Sequence, residues 1–295
     1  MTMTTRPREA SPDPRVDRGP DRRAEPYTGP VSAGEVDIWV DQRGSGPDVL
    51  LIAGLSDPAE AWTFQLEGLA DRYRLTAFDN RGAGRSPMPP DGYSVADMAD
   101  DAAAVLRSLG ITEAHVAGFS GGSATAQELT LRHPDLVRSL VLVSTWARPD
   151  TYFRRMAETW AWMADAAPSE RAMLEAFFLW IYTARAHEEG VVDAIIDEAL
   201  EFPFPQSPEG FHRQLEAWRA HDTFDRLPSI AVPTLVIAGE LDVATPPRLG
   251  RIVADRIPGA RYVELAGEAH QPFQEQAEVF NDLVDAFWTE MDGGD

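Results

Sequence analysis

Three side chains far apart in the chain, Ser120, Asp242 and His270, could together turn a hydroxyl into a nucleophile. Ser120 lies in "HVAGFSGGSATAQEL", residues 115–129, where three glycines and two serines crowd into positions 118–123. Glycine at that density marks a backbone forced where side chains cannot follow. The stretch contains the pattern G-x-S-x-G at Gly118, Ser120 and Gly122, with a strand-like run leading in and a helical run leading out. On such a sharp strand-to-helix turn a serine is pushed into strained angles and projects above the sheet. Small residues at 118 and 122 let strand and helix approach. The first free helix N–H, on Gly121, points at whatever Ser120 attacks, and the helix dipole favours negative charge there. A glycine-rich loop with a capping serine is the competing reading.

A serine hydroxyl is a poor nucleophile without a base. The expected base is a histidine supported by a carboxylate. "VIAGELDVATPP" places Asp242 just beyond one buried strand, and "YVELAGEAHQPF" places His270 just beyond the next. Residues leaving the carboxyl ends of neighbouring parallel strands converge on one sheet edge, where open α/β folds bind ligands. Glu240 and Asp150 compete with Asp242 for the carboxylate role. His115, at a strand start, and His133, at a helix end, are expected to be structural. His187, His212 and His221 fall at the surface or a substrate edge.

Composition excludes other chemistries. There is no cysteine, hence no disulfide framework, thiolate nucleophile or thiolate-bound metal. There is no lysine either, since all 26 basic residues are arginine. That removes Schiff-base chemistry, lysine-anchored pyridoxal phosphate and a Walker-A phosphate loop. Six histidines without an H-E-x-x-H pattern argue against a zinc protease. No metal and no cofactor is therefore expected. The net charge of −22 disfavours nucleic acid and anionic membranes as partners.

The elements that must position the three residues come from pattern. The 295 residues suffice for one large domain or two small ones. Residues 1–30, rich in Pro, Arg and Asp, are expected to form a disordered tail. They contain no secretory signal, and no run in the chain is long enough to span a membrane, so the cytoplasm is the default location. From Val31, short apolar runs alternate with helical stretches. Strands are expected in the alternating run "EVDIWVDQRG", before a turn at 44–47, and at 49–53, 75–79, 115–119, 140–144, 234–239 and 261–265. Helices are expected at 61–72, 95–109, 121–133, 248–256 and 272–288. That alternation predicts an α/β fold, with a mostly parallel central sheet flanked by helices. The core then comprises 31–145 and 226–295. Residues 146–225 interrupt it with helices alone, expected at 151–164, 170–186, 191–200 and 211–220, and form a lid insertion. Five of the eight tryptophans lie there. Trp146, Phe153, Trp160, Phe177 and Trp180 suggest an apolar ceiling over the site and a bulky, largely uncharged small-molecule substrate.

Across about residues 31–288 the chain resembles the α/β-hydrolase fold superfamily, in its lidded esterase, enol-lactonase and perhydrolase branch. "LLIAGL", "FDNRGAGRS", "GFSGG", "GELDVATPP" and "GEAHQPF" carry the likeness, together with the chain order Ser120, Asp242, His270. The resemblance implies that Asp79 and Arg81 hold a loop rather than do chemistry. It also implies a second oxyanion donor just after the third strand, the Leu55 N–H, beside that of Gly121. The chain departs from the family in having Ala53 before Gly54, where histidine is usual and often braces the loop.

The expected activity is hydrolysis of a carboxylic ester or lactone through an acyl-enzyme. A lyase or cyclase using the same three residues, a thioesterase, a C–C bond hydrolase and a non-catalytic ligand receptor are the alternatives. Oligomeric state stays open, a homodimer being one option.

Overall fold

The computed structural model describes residues 26–293. Residues 1–25, most of the expected tail, lie outside them. The remainder of that stretch is not tail: strand β1 begins at Thr28.

Eight strands form one sheet. They are β1 (Thr28–Ser32), β2 (Asp37–Gly44), β3 (Asp48–Ile52), β4 (Arg74–Phe78), β5 (Ala114–Phe119), β6 (Val137–Val143), β7 (Thr234–Gly239) and β8 (Arg261–Leu265). Their spatial order is β1-β2-β4-β3-β5-β6-β7-β8. β1 and β2 run antiparallel at one edge, and all other pairings beyond the β2–β4 one are parallel. β5 and β7 are buried at every position, which is why they read as continuous apolar runs rather than alternating ones.

Helices cover both faces. They are α1 (Thr63–Gly68), α2 (Val95–Ser108), α3 (Gly121–Arg132), α4 (Thr151–Ala166), α5 (Glu170–Phe178), α6 (Ala184–Glu188), α7 (Val191–Glu201), α8 (Pro208–Arg219), α9 (Pro247–Arg256), α10 (Pro272–Glu275) and α11 (Ala277–Met291). α2 starts with a capping box, in which Ser94 and Asp97 satisfy each other's backbone N–H groups. One face of the sheet packs Leu50, Ile52, Val116 and Leu140 against residues of α2, α3 and α9. The opposite face packs Leu51, Ala117 and Val141 against Trp62, Phe280 and Trp288. A fully buried Trp such as Trp288 typically contributes about 3–5 kcal/mol by the cost of its truncation to alanine.

α4–α8 succeed one another between β6 and β7, with no intervening strand. They form a third apolar cluster with Leu55, Met98, Ala124 and Trp146. The stretch expected as one helix over 170–186 is two, because Thr183 caps α6 by accepting the Ala186 N–H. The stretch expected over 272–288 also divides, at Gln276. The helix expected over 61–72 is short, ending at Gly68.

Candidate active site

Ser120 occupies the one-residue turn between β5 and α3, at φ 51° and ψ −120°. A non-glycine residue there stores about 1–3 kcal/mol of strain. The neighbouring glycines explain how the turn closes. A β-carbon on Gly118 would collide with the Gly122 carbonyl, and one on Gly122 would collide with the Ile52 carbonyl. The backbone is pinned from both sides: Ser120 N–H donates to Val143 O at 2.9 Å, and Ser123 N–H donates to Ser120 O at 2.9 Å.

The three side chains singled out by sequence meet. His270 Nε2 lies 2.9 Å from Ser120 Oγ, and His270 Nδ1 lies 2.8 Å from Asp242 Oδ2. Asp242 and His270 are buried, while Ser120 keeps partial exposure. Asp242 is itself fixed. Thr245 donates to Oδ1 through its N–H and to Oδ2 through its hydroxyl, each at 2.8 Å. The His270 backbone is held by N–H donation to Ile181 O at 3.0 Å and by Ser144 Oγ donating to its carbonyl at 2.8 Å. A hydroxyl, an imidazole and a carboxylate in line can pass a proton from Ser120 to His270 and hold the imidazolium that results.

The rival residues have other partners. Glu240 accepts the Gly267 N–H, and Asp150 caps α4 and pairs with Arg248. His115 stacks on Trp288 and faces Ser139 and Asp292, and burial lowers its pKa. His133 pairs with Asp100 and His212 with Asp165, while His187 faces the Phe178 carbonyl. His221 is buried rather than at the surface, with its ring edge-on to Trp146. Burial, assisted by Arg226, pushes its pKa down to about 3. Asp79 accepts the Ala59 and Arg85 N–H groups, and Arg81 forms a two-pronged bond to Asp101; both hold loops.

The loop after β3 carries Leu55. Without a histidine at 53, other groups brace it. Asn80 donates to Ala53 O at 3.0 Å. Gln214 of α8 accepts the Ser56 N–H at 3.2 Å, and Gln206 accepts the Ser56 hydroxyl at 2.5 Å. Gln206 also donates to Gly82 O and to Gln214 Oε1, each at 3.0 Å. Among the described residues, the N–H groups of Leu55 and Gly121 have no protein acceptor.

Trp146, Phe153, Trp160 and Phe177 are buried, Trp180 half-buried, and all five join the cluster containing Leu55. Trp146 packs on Phe153 at 4.5 Å between ring centroids, and Trp160 on Phe177 at 5.0 Å. Sequence reasoning passed over Trp218, although it packs directly beside the nucleophile's neighbour. A β-carbon on Gly121 would strike its indole. Gln214 and Trp218 stand one helical turn apart on α8, so one helix face meets Ser56, the neighbour of Leu55, and Gly121. That spacing was visible in the sequence; the surface it covers was not.

This sheet order, with a serine at the β5–α3 turn and its partners beyond β7 and β8, defines the α/β-hydrolase class. The chain belongs to that family: the family model described as alpha/beta hydrolase fold matches residues 47–191, and one described as TAP-like protein matches 213–292. It is 35% identical to an Azorhizobium caulinodans protein named carbamate hydrolase RutD, covering 88% of this chain and 97% of that one. Among solved structures it is similar to an enol-lactonase from Burkholderia xenovorans LB400, with TM-score 0.79 and 30% identity over 88% of this chain and 100% of that one. A thermophilic esterase from Thermogutta terrifontis matches with TM-score 0.78 and 26% identity, over 91% of this chain and 99% of that one. The chain is therefore an α/β-fold hydrolase. No helix among the described residues is long and apolar enough to cross a membrane.

Proposed function

We propose that this hydrolase cleaves a carboxylic ester or lactone of a bulky, largely apolar small molecule, with Ser120 as nucleophile. Ser120 Oγ attacks the carbonyl carbon as its proton passes to His270 Nε2. Asp242 holds the Nδ1–H and offsets the imidazolium charge. The oxyanion is received by the Leu55 and Gly121 N–H groups. His270 then returns the proton to the leaving alkoxide, which departs as an alcohol. Water, deprotonated by the same imidazole, cleaves the acyl-enzyme and regenerates Ser120. α4–α8 serve as the lid that keeps water from the reacting carbonyl.

The observation that carries this reading is the pair of contacts made by His270, 2.9 Å to Ser120 and 2.8 Å to Asp242. The names of the similar proteins support the reaction class: enol-lactonase, esterase and carbamate hydrolase all describe attack at an acyl carbon bonded to oxygen. The test is turnover of p-nitrophenyl esters by the wild type and by Ser120→Ala, with fluorophosphonate labelling mapped to its peptide. Wild-type turnover, lost in Ser120→Ala, and label on Ser120 are expected. Folded protein that neither turns over nor takes the label overturns the reading.

A further inference from the structure

Asp57 has no task in that reaction, yet it sits beside it. It lies two residues past Leu55 on the loop after β3, and it is half-buried rather than enclosed. From the point where a β-carbon on Gly54 would stand, Asp57 Oδ2 is 3.0 Å away and the nearest Phe119 ring carbons are 3.1 Å away. The Phe119 ring in turn lies 4.9 Å from the His270 ring. Carboxyl and phenyl ring therefore meet on one side of Gly54, the residue before Leu55, and the imidazole lies against the same phenyl ring.

The carboxyl group is poorly satisfied for such a place. Among the described residues no arginine pairs with it and no side chain donates a hydrogen bond to it. The charge His270 can carry and the Gly54 N–H favour its ionised form, but burial outweighs both and pushes the pKa up to about 7. Tyr182 is the other titratable group that feels it, its phenol held far above its ordinary range chiefly by burial. A carboxylate offers about four lone-pair sites. Most of that capacity is unspent here, and the side chain keeps partial exposure on the loop that carries Leu55.

We infer that Asp57 is a specificity residue, whose carboxylate accepts a hydrogen bond from an N–H or O–H carried next to the scissile carbonyl of the substrate. The inference rests on the serine-hydrolase reading above and narrows its substrate class. Favoured substrates are carbamates with a free N–H and esters of α-hydroxy or α-amino acids. A plain alkanoyl ester would cover Asp57 without pairing it, and a buried acceptor left unpaired counts against binding.

Benzyl lactate and benzyl 2-methoxypropanoate form a matched test, because only the first has a donor on the α-carbon. Release of benzyl alcohol gives kcat and KM for each. The wild type is expected to prefer benzyl lactate by roughly tenfold in kcat/KM, mostly through KM, as for a hydrogen bond to a charged group. Asp57→Ala is expected to bring the ratio to about one, and Asp57→Asn, with a carbonyl still able to accept, to keep part of it. Turnover of both esters with a wild-type ratio near one, or with the same ratio in Asp57→Ala, overturns the inference and leaves the hydrolase reading standing. So does fluorophosphonate labelling of Ser120 without turnover of either ester. Absence of both labelling and turnover overturns the hydrolase reading, and this inference with it.

Discussion

Gln214 Oε1 accepts the Ser56 N–H across 158 residues of chain. A helix between β6 and β7 thus holds the loop that carries Leu55. In this chain Gln214 of α8 and Asn80 act where a histidine at 53 would otherwise brace the loop, so the state of α8 and the position of a candidate oxyanion donor are joined.

Gln214→Leu is therefore expected to lower kcat for p-nitrophenyl butyrate by about tenfold, with a smaller change in KM. Misplacing a positioned group by even about 1 Å can cost up to 10²-fold in rate. Fluorophosphonate labelling should slow in parallel, since it too needs the oxyanion site. Unchanged kcat in folded Gln214→Leu would show that the loop holds without α8.

The contact between Gly121 and Trp218 makes a second expectation. Gly121→Ala drives a methyl group into the indole, and overpacking of that kind typically costs about 1–3 kcal/mol. Trp218→Ala alone opens a cavity and destabilises as well, by about 3–5 kcal/mol. The double variant should be more stable than the sum of the two predicts, because the clash has gone. Urea unfolding of all four proteins measures the coupling, and strict additivity would contradict the packing described.

Asp242→Asn keeps the shape of the site but removes its charge and presents Nδ1 of His270 with an ambiguous partner. Losses near 10⁴-fold in kcat accompany such a change where a carboxylate fixes the imidazole tautomer. Thr245 donates to both carboxylate oxygens. An asparagine can keep one of those bonds only by turning its nitrogen toward the other donor or toward His270. Steady-state kinetics should show the loss in kcat, with KM within a few fold.

How much of this was legible in the sequence depended on the range of the interaction. β5, β7 and the turn at Ser120 announce themselves through local residue order, as unbroken apolar runs and glycines that no larger residue could replace. Asp242 and His270 were legible because parallel strands deliver the residues just beyond their carboxyl ends to one edge. β1 was hidden: "YTGPVSAG" contains glycine and proline, and only its antiparallel pairing with β2 makes it a strand. The division of 170–186 into α5 and α6 was hidden too, since the apolar pattern runs on past the cap at Thr183. Gln206, Gln214 and Trp218 owe their roles to packing between segments about a hundred residues apart or more. Asp57 stands before a proline, and nothing in the local residue order marks it; only the fold brings it and Phe119 to the same side of Gly54.

His221 gives a pH expectation that does not depend on catalysis. Its pKa falls from an ordinary 6.5 to about 3 in the folded chain, first through burial and then through Arg226. Between those values the unfolded chain binds a proton that the folded chain does not, so stability increases with pH across the window and is lost on acidification. At pH 4.5 the group alone should cost on the order of 2 kcal/mol relative to pH 7. His221→Asn removes the titration and leaves a smaller, neutral polar side chain in its place. Urea midpoints at the two pH values should lie closer together in His221→Asn than in the wild type, although carboxylates titrate in both. Equal spacing of the midpoints would mean that His221 is protonated in the folded protein, and that the pocket formed with Trp146 admits water.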